Sequence, residues 1–205
     1  MGVFVKICGL CRREDVAAVA ALRPDAVGFV FWSRSPRAAR ASDVAEWRSL
    51  IPDDVQTVGV FVDEDPDVVI RTVEEANLDI AQLHGRETAA VCEDVRAHVW
   101  KAVHLDRLPD EPLSAYPVDA FLADSYSTTS PGGTGIVVDW QSAGRFVDAT
   151  PVPVLLAGGL NPNNVAEAIR LARPWGVDVS SGVEARPGEK DITLVRRFIE
   201  QCRIS

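Results

Sequence analysis

Short, almost uninterrupted apolar runs recur along this chain at intervals that leave room for one helix between each pair. They are VFVKI near the start, AVGFVF at 26–31, TVGVFV at 57–62, IAQL at 80–83, VWKAV at 99–103, AFLA at 120–123, VPVLLA at 152–157 and GVDV at 176–179. A strand buried on both faces loses the alternation of polar and apolar positions, so runs of this kind predict a parallel sheet covered by helices. Between them the period changes to that of a helix. Val16, Ala17, Val19 and Ala20 share one face after the first run; Val44, Ala45, Trp47 and Leu50 follow the second; Val68, Val69, Val73 and Ala76 follow the cap-like pair Asp65-Pro66. Val165, Ala168, Ile169 and Ala172 form another face behind an asparagine cap, and Leu194, Val195, Phe198 and Ile199 form the last. Pro109, Pro112 and Pro117 interrupt the interval after the fifth run and the interval after the sixth is short, so loops or single turns are expected there. Eight strand–helix units predict an α/β fold, a single-domain (β/α)8 TIM barrel spanning 1–205.

Composition narrows the partners. The 205 residues are 47% hydrophobic, enough for one substantial core, and carry a formal charge of −9. No basic patch suited to nucleic acid or to a membrane surface is visible, no apolar run is of membrane-spanning length, and the start MGVFVKICGL lacks the features of a secretory signal. A cytoplasmic protein is expected, acting on a small phosphorylated molecule as a monomer or homodimer, with its four cysteines as thiols.

In a barrel of this type the chemistry sits at the C-terminal strand ends. Those positions hold Cys8, Arg37, Asp63, His84, His104 and Asp124, followed by Gly158-Gly159 and Ser180-Ser181-Gly182. The last two loops lack bulky side chains, so their backbone N–H groups can converge on a phosphate, and a short helix N-terminus would add its dipole. Cys8 opens a C-x-x-C with Cys11. Lys6 lies on the same face two residues earlier, and its charge, with a helix N-terminus, is expected to favour the thiolate. Such a thiol suits a nucleophile, a metal ligand, a redox centre or a general base; it is also compatible with a small core residue. A zinc site would need a second ligand pair that the sequence lacks. Asp124 ends an apolar strand, where partial desolvation lets a carboxyl keep its proton and act as an acid, although a turn cap also fits. The Arg37 guanidinium suits a carboxylate, with Arg34 as the rival; His84 fits a loop or core histidine as well as a site residue. Asp178 alternates with Val177 and Val179 and points inward, where Lys6, Lys101 or a ligand hydroxyl must meet it.

In order along the chain, VKICG, GFVFWSRSPR, VGVFV, QLHG, GGTG with the following DW, AGGLNPNNV and VDVSSGVEARPGEKD resemble the phosphoribosylanthranilate isomerases. The resemblance runs from Lys6 to Asp191. It implies a (β/α)8 barrel that needs neither metal nor cofactor and performs an Amadori rearrangement in tryptophan biosynthesis. It implies Cys8 as general base and Asp124 as general acid, Arg37 on the anthranilate carboxylate, and Gly158, Gly159, Ser181 and Gly182 in the phosphate loops, with His84, Asp178 and Ser180 also placed at the substrate. Cys11, Ala38 and Val138 depart from the family pattern and bear on substrate affinity. Three other readings compete: a C-x-x-C oxidoreductase, a barrel that only binds a phosphorylated metabolite, and a dual-substrate isomerase using two aspartates.

Overall fold

Eight parallel strands close into a barrel in simple chain order, β1 pairing with β2 and so on until β8 returns to pair with β1. They are β1 (Phe4–Ile7), β2 (Ala26–Val30), β3 (Gln56–Phe61), β4 (Ile80–Leu83), β5 (His98–His104), β6 (Ala120–Asp124), β7 (Val154–Ala157) and β8 (Gly176–Val179). This computed structural model describes residues 2–124 and 140–204. The GGTG motif and Val138 lie outside the described residues.

Alternation along each strand sorts the side chains into an inner and an outer set. Phe4, Ala26, Val58, Ile80, Trp100, Ala102, Ala120, Leu122, Leu155 and Ala157 pack together inside the barrel, which makes the interior a filled core and not a pore. Residues of the opposite parity, such as Val5, Val27, Phe29 and Val177, join the helices in the surrounding layer. Continuing the inward register upward reaches Lys6 and Cys8 on β1, Gln82 and His84 on β4, His104 on β5, Asp124 on β6 and Asp178 on β8. The site is the top of the same stack of side chains that fills the core.

The helices are α1 (Arg13–Ala20), α2 (Ala41–Trp47), α3 (Pro66–Glu75), α4 (Ala89–Asp94), α5 (Trp140–Ala149), α6 (Val165–Ala172) and α7 (Ile192–Arg203). Side chains cap the starts of α3, α4 and α7: Asp65 accepts from the Asp67 N–H at 2.9 Å, Thr88 from Val91 and Asp191 from Thr193 and Leu194. The turn into α6 begins at Asn161, whose side chain accepts from the Asn163 N–H at 2.8 Å while Asn164 accepts from the Asn161 N–H.

Two features depart from the sequence reading. The interval after β5 holds only a 3-10 turn at Leu113–Ala115, as the prolines require, but the interval after β6 contains α5, a ten-residue helix where loops or turns were expected. Gly144 inside α5 hides it from a propensity argument. A Cβ there would stand 3.1 Å from the Leu171 carbonyl oxygen, so the glycine permits close approach to α6, and packing outweighs its poor helix propensity. The second departure is a small antiparallel hairpin, β9 (Glu184–Arg186) and β10 (Glu189–Lys190), between β8 and α7. No described helix is long and apolar enough to cross a membrane.

Candidate active site

Cys8 stands just beyond β1, 6% exposed, its N–H bonded to the Val179 carbonyl of β8 at 2.8 Å. Below it Lys6 is fully buried and its Nζ donates to Asp178 Oδ1 at 3.0 Å, the two residues being register partners across the β1–β8 seam. This settles which partner meets the inward carboxylate. Lys101 faces the outer layer instead, where it binds Glu87 at 2.9 Å and the carbonyls of Leu83, Gly85 and Ala102. Gly28 on β2 makes room for the thiol: a Cβ there would lie 2.8 Å from Cys8 Sγ and 3.2 Å from Lys6 Nζ.

The electrostatics of Cys8 differ from the expectation of a favoured thiolate. Burial, the largest influence, pushes the thiol up; Lys6 pulls it back and Asp178 pushes it up again, leaving it above the ordinary thiol value. Burial is the main reason, and the nearby Asp178 carboxylate, which also holds Lys6, adds to it. For Lys6 itself, burial opposes the charge, but attraction to Asp178 and then to Cys8 outweighs it and holds the ammonium above its ordinary value. Lys6 is therefore charged at neutral pH, and Cys8 rests mainly as a thiol.

Across the mouth, Asp124 ends β6 in register with His104. Its Oδ2 is 3.4 Å from His84 Nε2, and the Gln82 amide nitrogen lies 2.8 Å from His84 Nδ1. His84 is thus oriented from below and stands against the carboxyl. A cavity of ≈ 480 Å³ opens beside it over β4 and β5, with His84, His104, Arg107 and Tyr116 in its lining; none of the β7 or β8 loop residues border it.

The small-residue loops meet. Gly158 and Gly159 follow β7 with φ of 87° and 66°, a conformation that side chains rarely adopt. The Gly159 carbonyl accepts from the Asn164 side chain at 3.0 Å, which turns the peptide N–H that follows to the opposite side. Gly182 lies against the other loop so closely that a Cβ would stand 1.9 Å from the Leu160 carbonyl oxygen. Ser180 and Ser181 precede it, and the Ser180 hydroxyl lies beside Gly9.

Arg37 reaches this region from the β2 loop, though not with both edges open. Its Nε and Nη2 donate to the two oxygens of Glu184 at 2.7 and 2.6 Å, and Lys190 Nζ donates to the same carboxylate at 2.8 Å and to the Ser180 carbonyl at 3.1 Å. Asp63 borders the same cavity as His84, where its backbone N–H donates to Glu87 and its carboxylate accepts from the Arg86 N–H in the β4 loop. The sequence reading missed Glu184, Lys190, Gln82 and Gly28. The dipeptide Pro187-Gly188 between charged residues was the one available signal for the hairpin. All four cysteines are free, and among the described residues no group of three or more His, Cys, Asp or Glu side chains is arranged to hold a metal ion.

A closed parallel barrel with its titratable side chains gathered at the C-terminal mouth, beside two abutting loops of small residues, has the architecture of a (β/α)8-barrel enzyme. The comparisons with known proteins carry this to a family. A family profile described as N-(5'phosphoribosyl)anthranilate (PRA) isomerase matches residues 5–201. An N-(5'-phosphoribosyl)anthranilate isomerase of Pelobacter propionicus is 43% identical over 198 residues, covering 96% of this chain and 94% of the relative. Among solved structures, phosphoribosyl anthranilate isomerase from Thermotoga maritima is 36% identical with a TM-score of 0.88, over 99% of this chain and 100% of that one. A phosphoribosyl anthranilate isomerase in complex with reduced 1-(o-carboxyphenylamino)-1-deoxyribulose 5-phosphate is 34% identical with a TM-score of 0.85, covering 99% and 100% of the two chains. The chain belongs to the N-(5'-phosphoribosyl)anthranilate isomerase family.

Proposed function

We propose that this protein converts N-(5-phospho-β-D-ribosyl)anthranilate to 1-(2-carboxyphenylamino)-1-deoxy-D-ribulose 5-phosphate in the cytoplasm, as a step of tryptophan biosynthesis. The observation that carries the reading is the shared inward register that brings Cys8 and Asp124 to one mouth of the barrel beside the Leu160–Gly182 contact.

The phosphate occupies the space bounded by Gly158, Gly159, Ser180, Ser181 and Gly182, held by backbone donors. The anthranilate carboxylate takes the edge of Arg37 that Glu184 leaves open. Asp124 then gives its proton to the ribose ring oxygen as the C1–O bond breaks and the nitrogen lone pair forms a Schiff base. Cys8, as thiolate, removes the proton from C2, and the electrons return through C1 to nitrogen, giving an enolamine. Its tautomerisation moves the hydroxyl proton from O2 and places a proton on C1, leaving a ketone at C2. No oxidant or external reductant enters, so the change is a pure isomerisation. Asp178, already on Lys6, is placed to accept from a sugar hydroxyl with its second oxygen, and His84 to hold Asp124 in position. The small fraction of Cys8 thiolate in the free protein makes base strength the compensation: a high-pKa thiolate is the stronger base once formed.

Growth without tryptophan tests the assignment. The gene introduced into cells lacking this isomerase restores growth if the reading is right; soluble expression without rescue overturns it.

A further inference from the structure

The hairpin β9–β10 takes no part in the proton transfers proposed above, yet it carries the two most deeply buried charges near Arg37. The Glu184 side chain is 4% exposed and that of Lys190 0%, whereas Arg37 keeps 21%. Burying a carboxylate and an ammonium this completely is unfavourable unless each is paired, and here each is. Hydrogen bonds from Arg37 and Lys190 outweigh the effect of burial and hold the Glu184 carboxyl below its ordinary range.

The geometry has a consequence for charge and one for direction. A carboxylate against Arg37 alone would cancel its charge and repel an anionic ligand; Lys190 on the same carboxylate returns the cluster to a net positive charge. The bidentate contact also uses the Nε–Nη2 edge of the guanidinium, so the edge left for a ligand is the one ending in Nη1. The hairpin itself is docked on both neighbouring loops. Cys11 Sγ donates to the Gly188 carbonyl at 3.2 Å, and a Cβ on Gly188 would stand 3.1 Å from the Pro36 carbonyl oxygen. Through the Lys190 contact to the Ser180 carbonyl, the same brace reaches the β8 loop.

We infer that Glu184 and Lys190 are positioning residues that aim the open edge of Arg37 at the carboxylate end of the substrate and keep that end of the site electropositive. This rests on the reading of Arg37 as the carboxylate contact, and the test separates the two. Glu184→Asp keeps the charge and withdraws the carboxylate by one methylene. It should raise KM for N-(5-phospho-β-D-ribosyl)anthranilate about tenfold with kcat within about twofold, and weaken inhibition by anthranilate alone by a similar factor, while inhibition by inorganic phosphate stays unchanged. On an Arg37→Met background the same substitution should have no further effect, because a residue acting through Arg37 has nothing left to aim. An unchanged KM in Glu184→Asp, or a full additional loss on the Arg37→Met background, overturns the inference. An Arg37→Met variant with unaltered KM overturns the carboxylate reading beneath it. Should Glu184→Asp not fold, Lys190→Met serves: it must weaken anthranilate inhibition, and undiminished binding refutes the electropositive role.

Discussion

Replacing Lys6 with methionine separates what this residue does for folding from what it does for Cys8. Cys8 Sγ and Lys6 Nζ lie 2.8 and 3.2 Å from the same point above Gly28, so they cannot be more than about 6 Å apart. At that separation and an effective dielectric of ~20, the ammonium stabilises a thiolate by about 3 kcal/mol. Lys6→Met should therefore move the pH midpoint of Cys8 alkylation by iodoacetamide upward and slow alkylation at a fixed neutral pH about a hundredfold. Mass spectrometry of the Cys8 peptide reads this directly, and turnover should fall in parallel. The same substitution leaves the Asp178 carboxylate, 8% exposed, without its partner. Breaking a buried pair in this way costs about 3–5 kcal/mol, a fall in Tm of about 6–20 °C for a chain of this length. The double variant Lys6→Met/Asp178→Leu removes the stranded charge and should recover most of the Tm without recovering alkylation. A folded Lys6→Met protein whose Cys8 alkylation profile matches the wild type would refute the claim that Lys6 is the counter-charge of the thiolate.

Two further outcomes follow from the packing and the thiols. Gly182→Ala puts a methyl 1.9 Å from the Leu160 carbonyl oxygen, so the two loops must separate; inhibition by inorganic phosphate should weaken by at least tenfold, about 1.4 kcal/mol, and unchanged inhibition would move the phosphate elsewhere. Burial raises the Cys92 thiol to about 11 and the Cys202 thiol to about 12. Their folded values lie above the unfolded one, so the stability they contribute is complete below the ordinary thiol value and disappears as pH rises through the folded values. Thermal melts should show Tm falling from pH 9 upward, and Cys92→Ala/Cys202→Ala should flatten that fall; an equally steep fall in the double variant would contradict it.

Most of the barrel was readable because its strands are buried on both faces, which leaves continuous apolar runs such as AVGFVF and VPVLLA. The strand ends were readable for the same reason: once the runs are placed, Cys8, His84, His104 and Asp124 fall at their tops with the inward parity. What escaped depends on contacts distant in sequence. Helix α5 does carry an apolar face, with Trp140, Ala143 and Phe146 buried, but the interval reads as too short for a helix, and the approach of Gly144 to α6 that fixes its place is not a local signal. Glu184 meets Arg37 across 147 positions of chain, so the bidentate pair and the Lys190 contact could not be inferred from spacing. The ionisation of Cys8 was misjudged because Lys6 was visible as a neighbour, while the degree of burial, the largest influence on the thiol, was not.

The central claim is that Cys8 and Asp124 carry the proton transfers, and the most direct measurement is turnover of N-(5-phospho-β-D-ribosyl)anthranilate by purified wild type, Cys8→Ser, Cys11→Ser and Asp124→Asn, with product identified by mass and chromatography. The account predicts that Cys8→Ser and Asp124→Asn each lose at least about a thousandfold in kcat, within the range for removing a general acid or base, while Cys11→Ser stays near wild type. Wild-type turnover in Cys8→Ser would contradict the mechanism, and equal losses in the two serine variants would assign the chemistry to a thiol pair instead.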